Sequence, residues 1–340
     1  MAASGRLNKL LCTAKTMVRT LMQVLSPAGA RARLSILIFH RVLPVRDELF
    51  PGEVDAARFE AICSWLRQWC NVLPLDEACH RLREQTLPAR AAAITFDDGY
   101  ADNHDVALPI LRRHGLRAGF FVATGFLDGG RMWNDTLIEA IRATRLTRLD
   151  LRAAGLQTVE HLDVASVPER RAAIDRLIKA CRYLPSLQRD ATVQAVAAAC
   201  GTPPTRELMM TSSQVQALHA AGMQIGGHTV NHPILTRLPA SEAREEMRAG
   251  KARLEQLTQA PVTLFAYPNG RPGEDWGAAH AAMAEELGFE AAVTTAWGVS
   301  SGQTHRFQLP RFTPWDASRW AFGLRLARNV GVRAPATRWI

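Results

Sequence analysis

The sequence predicts an α/β fold, in which strands and helices alternate along the chain instead of forming separate layers. Two observations carry this prediction. Apolar runs of strand length recur from residue 34 onward, and amphipathic stretches with helical periodicity lie between them. With 340 residues and 47% hydrophobic content, the chain can bury one large core or two modest ones.

This alternation defines the elements in order. Asp55 is the predicted N-cap of a helix that continues through Trp69, and Gly115 is expected to end a later helix. The predicted strands cover residues 34–39, 91–96, 118–123, 223–226, 262–266 and 290–295. The predicted helices cover residues 55–69, a short segment from 75, 103–114, 241–257 and a segment through 286.

One long stretch interrupts the alternation. Residues 131–206 are rich in Arg, Leu and Ala at helical spacing and carry few strand signals. We interpret them as a helical insertion within a single domain that spans residues 34–330. A segment of residues 1–33 precedes this domain, and a tail of residues 331–340 follows it.

Two adjacent carboxylates, Asp97 and Asp98, directly follow the apolar run at residues 91–96, and Gly99 then turns the chain away. Neighbouring carboxylates repel each other and are costly to desolvate, so this position favours a bound cation. One carboxylate can ligate a metal while the other accepts a proton. For this run alone, a solvated turn is the alternative interpretation.

Two histidines, His228 and His232, follow the apolar run at residues 223–226. If the segment is one helical turn, both imidazoles share a face and can bind one metal ion. Two histidines and one carboxylate leave coordination positions open for water and substrate, as metal hydrolases require. Zinc is the expected metal for this mixed nitrogen and oxygen set, although cobalt, nickel or manganese also fits.

The run Thr-Phe-Asp-Asp-Gly-Tyr, followed by His-Thr-x-x-His, resembles the first two motifs of the polysaccharide deacetylase (NodB-homology) family of metal-dependent carbohydrate esterases. The resemblance covers residues 34–312. It implies a distorted (β/α) barrel of about seven strands that hydrolyses N-acetyl groups, or sometimes O-acetyl groups, on sugars. It also implies that Asp97 is the general base and that Asp98, His228 and His232 bind the metal.

The resemblance also bears on the general acid. The family's Leu-x-His motif near the C-terminus, which supplies this acid, does not follow residue 295 here. The run Ile-Leu-Ile-Phe-His that ends at His40 instead resembles the rearranged poly-N-acetylglucosamine deacetylases, in which the acid-bearing strand comes first. This implies His40 as the acid. A structural histidine at a strand end is the alternative, and His305 is the second candidate.

The third family motif, Arg-x-Pro-Tyr, is altered in this chain. Ala266 stands where the family has the Arg that orients the base, and Asn269 stands where it has Tyr. Arg311 is a candidate to replace the lost charge from a neighbouring strand end, and an exposed Arg is the alternative. The backbone N–H near Tyr100 is expected to help hold the oxyanion. The candidate substrate or oxyanion contacts are Tyr100, Tyr267, Asn269 and Arg311.

Composition narrows the function classes only slightly. There are 41 Lys and Arg against 32 Asp and Glu, a net charge of +9, and the charges are scattered without a long basic block. We therefore interpret most of them as solvated helix faces and expect no nucleic-acid binding. None of the six cysteines forms Cys-x-x-Cys, which favours buried free thiols over disulfides or a metal site.

The N-terminal segment is predicted to be an amphipathic basic helix over residues 5–25. It has an apolar stripe and four cations, so we expect peripheral contact with an anionic membrane surface, or docking on the barrel as the alternative. A cleaved secretory signal is disfavoured because the apolar stretch 21–25 is short and contains Gln23. These features predict a cytoplasmic protein, or a peripheral one at the inner face of a membrane, rather than a secreted or periplasmic one.

Three functions remain open from the sequence. The first is an N-deacetylase acting on an acetylated amino-sugar polymer or lipid-linked glycan. The second is a glycan O-acetyl esterase, and the third is a catalytically weak glycan-binding accessory protein. The combination of a free base, Asp97, with a complete ligand set favours catalysis, because a binding protein has no need of such a base.

Overall fold

The structure is a computed structural model that describes residues 17–156, 159–201 and 207–332. Within these residues the chain forms two compact units. The first contains the described residues up to Pro44, then Val54–Leu127 and the residues from Met210 onward. The second contains Val45–Glu53 and the described residues of Asp128–Met209.

Ten strands form in the described residues, and their bounds are β1 Leu34–Phe39, β2 Asn71–Val72, β3 Ala91–Phe96, β4 Gly119–Val122, β5 Arg148–Asp150, β6 His161–Asp163, β7 Gln224–Gly227, β8 Leu264–Ala266, β9 Ala291–Trp297 and β10 Leu309–Arg311. The first unit is built on seven of them, hydrogen-bonded in the order β1-β3-β4-β7-β8-β9-β10. Every pairing along this path is parallel, and the short β2 pairs with β3.

The two ends of this sheet meet. The Phe312 N–H, just after β10, donates to Ile36 O at 2.7 Å, and the Ile38 N–H donates to Phe312 O at 3.1 Å. These bonds join the chain after β10 to β1, so the sheet nearly closes on itself. The predicted α/β class and the distorted (β/α) barrel of about seven strands are confirmed.

Helices provide the crossovers that parallel strands require. The bounds are α1 residues 17–25, α2 Ala56–Trp69, α3 Leu75–Arg83, α4 Leu108–Arg113, α5 Trp133–Ala143, α6 Val167–Cys181, α7 Ser186–Ala199, α8 Ser212–Ala220, α9 Ala240–Thr258, α10 Ala278–Glu286 and α11 Arg319–Gly331. The Asp55 side chain accepts from the Arg58 N–H, which confirms the predicted N-cap of α2. The helix predicted over 103–114 begins instead with a π-helical segment, Asn103–Ala107.

The second unit has its own apolar core, to which α5, α6 and α7 contribute. Trp133 packs against this core, and the Arg189 guanidinium lies 5.3 Å from the centre of its ring. The antiparallel pair β5–β6 was not expected, because strands of three residues give too short a periodic signal. The organisation of residues 131–206 as an insertion within one domain stays a prediction.

In the described part of the N-terminal helix, one side packs on the core of the first unit and another side faces solvent. Val18 and Met22 are buried in the core of the first unit, whereas Met17, Leu21 and Val24 face solvent. The remainder of the predicted helix, residues 5–16, and the tail after residue 332 lie outside the described residues.

Two further expectations concern cysteines and the membrane. The five cysteines that the structure describes are free thiols, and burial raises the pKa of Cys70 to about 12 and that of Cys200 to about 11. They are therefore unreactive at neutral pH, as the sequence predicts for buried thiols. Cys12 lies outside the described residues. None of the helices in the described ranges is long and apolar enough to cross a membrane.

Candidate active site

The end of β3 is held by an aromatic stack beneath it. The ring of Phe96 lies 5.3 Å from that of Phe39 on β1 and 4.8 Å from that of Phe120 on β4. Pairs of this kind contribute about 0.5–1.5 kcal/mol each beyond their burial. The Asp97 N–H donates to Phe39 O at 2.9 Å. Contacts with β1 and β4 therefore fix the end of β3, which carries Asp97.

The turn after β3 carries backbone strain. Asp98 adopts a φ of 77° and Gly99 a φ of 91°. A left-handed conformation is open to glycine but is uncommon for a side chain such as Asp, and it costs about 1–3 kcal/mol. Such strain persists where the surrounding structure requires it, which is typical of functional turns.

The histidine segment is not the helical turn that we considered from the sequence. Residues 228–232 form a loop in which Thr229 and His232 have φ values of 66° and 52°. The His232 N–H donates to Thr229 Oγ1 at 3.1 Å, which closes the loop. The two imidazole rings are nonetheless brought to 4.8 Å, because left-handed residues bend the chain as sharply as a helical turn does.

A glutamate that the sequence did not single out holds this loop. Glu246 on α9 accepts the N–H groups of Val230 and Asn231 at 2.9 and 2.8 Å, and also the Asn231 side-chain amide at 2.7 Å. Gly250, one turn further along α9, lies against the backbone of Thr229. A Cβ at Gly250 would be only 2.8 Å from Thr229 O, so the helix can approach the loop only without one.

Asp98, His228 and His232 form a cluster that fits a metal ion. Asp98 Oδ1 lies 3.3 Å from His228 Nε2 and 3.4 Å from His232 Nε2. Atoms that share one zinc ion at tetrahedral angles are separated by about 3.4 Å, given ligand bonds of about 2.0–2.2 Å. Asp98 Oδ1 is buried and accepts no hydrogen bond of normal geometry among the described residues, which is costly unless a cation binds there.

The tautomer of the buried histidine is fixed by the barrel. His228 Nδ1 lies 2.7 Å from Ala266 O at the end of β8. A carbonyl can only accept, so Nδ1 carries the proton and Nε2 presents its lone pair towards Asp98. This carbonyl partner is the kind of orienting contact that metal-binding histidines usually have.

The site is a set of strongly coupled charges. Burial would raise the pKa of Asp98, but His228, His232 and His40 hold it well below its ordinary value. Burial lowers the pKa of His232 to about 4. Burial would also lower the pKa of His228, but Asp98 and Asp97 raise it above its ordinary value. Both carboxylates are therefore ionised at neutral pH.

Arg311 replaces the charge that the altered third motif lacks. Its Nη1 donates to Asp97 Oδ1 at 2.7 Å and its Nη2 to Oδ2 at 2.6 Å, and both side chains are buried. Its Nε donates to Thr294 O on β9, which fixes the plane of the guanidinium. Burial would raise the pKa of Asp97, but Arg311 and then His228 lower it below its ordinary value. The sequence grouped Arg311 with substrate or oxyanion contacts, and that assignment is wrong because its donors are directed at Asp97.

Comparison of the sequence with known protein families identifies the family of this chain. The sequence profile described as polysaccharide deacetylase matches residues 84–292, which is more than half of the chain. The chain belongs to the polysaccharide deacetylase family. The matched range includes Asp97, Asp98, His228 and His232 but excludes both His40 and Arg311. Both residues that depart from the usual order of family motifs therefore lie outside the matched range.

Individual relatives are distant in sequence. YxkH of Bacillus subtilis (strain 168), which is named as a polysaccharide deacetylase, is 22% identical over 282 residues, covering 82% of this chain and 71% of that protein. The deacetylase PplD of Streptococcus pyogenes, solved in complex with acetate, is 20% identical with a TM-score of 0.55, covering 83% of this chain and 92% of its own. IcaB of Ammonifex degensii is 18% identical with a TM-score of 0.56, covering 90% and 99%. These structures share the fold of this chain.

The remaining predicted contacts fall in different places. Tyr267 is a correction: its side chain is fully buried, stacked 4.0 Å from Trp276, and its hydroxyl donates to Phe307 O. A side chain held in this way is part of the core and does not reach substrate. Asn269 has a φ of 57° in the turn after β8, and Tyr100 is buried with the Arg41 guanidinium 4.8 Å from its ring centre. The roles of these two residues stay predictions.

The two candidate acids lie at opposite ends of the barrel. His40 follows the carboxyl end of β1, and its charge lowers the pKa of both Asp97 and Asp98. His305 precedes the amino end of β10, and its Nδ1 accepts from the Phe307 N–H. Because parallel strands place their carboxyl ends at the same edge, His40 is near the cluster and His305 is on the other side.

Asp102 and Asn103 hold the backbone on both sides of His40. The Asn103 amide donates to His40 O at 2.9 Å. Asp102 accepts the Val42 N–H at 3.0 Å and Arg41 Nε at 2.8 Å. Both side chains are buried at the start of the π-helical segment, only a few residues after Asp97 and Asp98. Asp102 and Asn103 therefore tie the loop that carries His40 to the turn that carries Asp97 and Asp98.

We expect Asn103→Ala to impair deacetylation about tenfold while leaving metal content unchanged, because it frees the carbonyl of His40 but touches no ligand. The matched control is Asn71→Ala. The Asn71 amide donates to Ala89 O at 2.7 Å at the amino end of the barrel. This variant therefore removes a similar hydrogen bond far from the cluster. Equal losses of kcat/KM in the two variants would show that Asn103 contributes only to stability.

Proposed function

We propose that this protein is a metal-dependent hydrolase that removes acetyl groups from N-acetylated amino sugars of a polysaccharide or lipid-linked glycan. One observation carries the proposal: a buried, ionised carboxylate, Asp97, is held by Arg311 directly beside a three-residue ligand set. Burying an ionised carboxylate costs folding free energy, and a protein that only binds glycan has no use for such a base.

Asp98, His228 and His232 would hold the metal, and zinc suits their two nitrogens and one oxygen, with cobalt, nickel or manganese as alternatives. A bound divalent metal supplies a Lewis acid that polarises the acetyl carbonyl and makes water a better nucleophile.

Asp97 is suited to take the proton from the attacking water. Arg311 occupies one lone pair on each of its oxygens, and a carboxylate has further lone pairs to accept a proton. The guanidinium keeps Asp97 ionised, so it is ready as a base at neutral pH. The backbone N–H near Tyr100 is the proposed donor to the developing oxyanion.

His40 is suited to protonate the departing amine. Its position supports this role, because His40 follows the carboxyl end of β1, which pairs with β3, and Asp102 and Asn103 hold the backbone around it. An amide needs this proton far more than an ester does, because an amine anion is a very poor leaving group. An acid at His40 would therefore favour N-acetyl over O-acetyl substrates.

We expect His40→Ala to reduce the hydrolysis of N-acetyl substrates about a hundredfold or more, and that of an activated acetyl ester much less. The measurement is kcat/KM of one variant on a chitin oligosaccharide and on 4-nitrophenyl acetate. The matched control is His305→Ala, which should leave both substrates unaffected. Equal losses on both substrates for His40→Ala would remove this residue from the role of acid.

Acetate release tests the proposed function as a whole. We expect the purified protein to release acetate from at least one member of a panel of N-acetylated glycans. A chelator should abolish the release, and added zinc or cobalt should restore it. Release only from O-acetylated members would identify an esterase. Glycan binding without release from any member would support the accessory protein instead.

We also propose, as the N-terminal sequence predicts, that the enzyme works at the inner face of a membrane. An amphipathic basic segment supports this position, since it binds membranes peripherally without crossing them.

A further inference from the structure

The positive charge of this protein comes from its two ends. Residues 1–33 contain six Lys and Arg, residues 317–340 contain five, and neither stretch contains an Asp or Glu. The rest of the chain therefore carries 30 of the 41 basic residues and all 32 acidic ones. Although no single block is long, the whole excess of +9 originates in these two segments.

The structure brings the described parts of these two segments together, because α1 and α11 lie side by side. A Cβ on Gly323 would be 3.3 Å from Val18 Cγ2, and a Cβ on Gly331 would be 4.0 Å from Leu25 Cδ1. The earlier residue of α1, Val18, meets the earlier residue of α11, Gly323, and the later residue, Leu25, meets the later one, Gly331. The two helices therefore run in the same direction. Gly323 permits the close approach, since it places no side chain between them.

Exposed apolar side chains flank the seam between these helices. On α1 each exposed apolar residue directly precedes a residue that packs inward, as Met17 precedes Val18. On α11 the exposed Leu324 directly follows Gly323. Successive residues of a helix are turned by about 100°, so in parallel neighbours these positions point to the same side of the seam. We call them the two-helix face; its apolar members are Met17, Leu21, Val24, Trp320 and Leu324, each between 38% and 72% exposed.

We propose that the two-helix face binds the surface of an anionic lipid bilayer. It combines exposed apolar side chains, one of them a Trp, with Arg328, which is also exposed and lies one turn after Leu324. Apolar residues of a peripheral helix enter the boundary between headgroups and acyl chains, Trp favours that boundary, and arginines pair with anionic headgroups. The absence of acidic residues from both helices removes the repulsion that such headgroups would otherwise meet.

Charge and apolar surface together identify the bilayer among the alternatives. A second copy of this chain is disfavoured, because two faces that carry only cations repel each other. A soluble polyanion would use Arg328 but would leave five apolar side chains in water. Membrane docking does not depend on the chemistry of the metal-binding cluster, so either proposal can fail without the other.

The test is sedimentation of the full-length protein with sucrose-loaded vesicles. Vesicles of phosphatidylglycerol and phosphatidylcholine should bind the protein at low salt and partly release it at 0.5 M salt, whereas pure phosphatidylcholine should bind at least tenfold less. The double variant Leu21→Gln/Leu324→Gln should bind the anionic vesicles at least tenfold more weakly. The variant Arg328→Gln should also bind about fivefold more weakly.

The control is Leu187→Gln, which alters the most exposed leucine of the second unit and should bind like the unchanged protein. Circular dichroism melting confirms that each variant is folded, and the single variants Leu21→Gln and Leu324→Gln take the place of a double variant that is not. No binding to anionic vesicles, or unchanged binding by the apolar variants, would overturn the proposal. A loss confined to the arginine variant would do so as well, because it would indicate a general polyanion surface.

Discussion

Asp97→Asn should retain its metal and lose acetate release by a hundredfold or more. The amide keeps the shape of the carboxylate, and its oxygen can still accept one of the two Arg311 hydrogen bonds, but it has no basicity with which to take a proton from water. Because Asp98 and the two histidines are untouched, the ligand set remains complete. The measurement is kcat/KM for acetate release from an N-acetylated oligosaccharide.

The matched control for this variant is Asp47→Asn in the second unit. Asp47 also accepts two hydrogen bonds from one arginine, at 3.0 and 2.7 Å from Arg142, but it lies in no candidate site. It should therefore lose some stability and no activity. Normal turnover by Asp97→Asn would exclude this residue as the base, and loss of metal from the same variant would make it a ligand instead.

Arg311→Met should cost about 3–5 kcal/mol of unfolding free energy and most of the activity, because it leaves the buried carboxylate of Asp97 without a partner. With the guanidinium gone, burial dominates and the pKa of Asp97 rises. The acid limb of the pH profile of kcat/KM should therefore move to higher pH. Urea unfolding and the pH profile measure these two effects.

The sign of the accompanying change in stability follows from the same shift. In the folded protein the pKa of Asp97 is lowered, so its contribution is present above the ordinary pKa of an Asp and is lost as the pH falls through the folded value. Arg311→Met should remove this contribution at neutral pH. The difference in stability between the two proteins should then shrink on acidification.

A double variant separates the stability effect from the catalytic one. Asp97→Asn in the Arg311→Met background removes the unpaired charge, so it should recover part of the lost stability but none of the activity. Arg142→Met is the control, since it breaks a similar two-bond pair, with Asp47, within the second unit. Additive stability losses for Asp97 and Arg311 would contradict a direct coupling between them.

Strand bounds were the most predictable feature of this chain. The apolar runs at 34–39 and 91–96 correspond end for end to β1 and β3, because strands buried on both faces are continuous apolar runs with polar residues at their ends. Asp97, Asp98 and the histidine pair were recognisable because charged and imidazole side chains stand directly at such ends. Parallel strands then bring those ends to one edge.

The partners of these residues were much less predictable. Arg311 is 214 residues away from Asp97 and reaches it only because β10 returns to β1 when the barrel closes. Glu246 lies in a helix rich in charged residues, where nothing in the sequence distinguishes the one that faces the histidine loop. Asp102 and Asn103 have the composition of an ordinary solvated helix start, although both are buried.

The conformation of the histidine loop was not predictable either. A spacing of four residues suits a helical turn, but Thr229 and His232 adopt left-handed conformations that sequence patterns disfavour for such residues. The contacts of Glu246 and Gly250 on α9 stabilise this loop conformation. These contacts exist only in the folded barrel. Local propensity was overridden there by tertiary contacts.

The central claim is that three residues bind a metal and a fourth acts as the base, and metal stoichiometry tests it most directly. Inductively coupled plasma mass spectrometry of dialysed protein should find one equivalent of metal in the unchanged chain and in Asp97→Asn. Asp98→Ala, His228→Ala and His232→Ala should each be depleted. Full metal content in the two histidine variants, or its loss from Asp97→Asn alone, would contradict this division of roles.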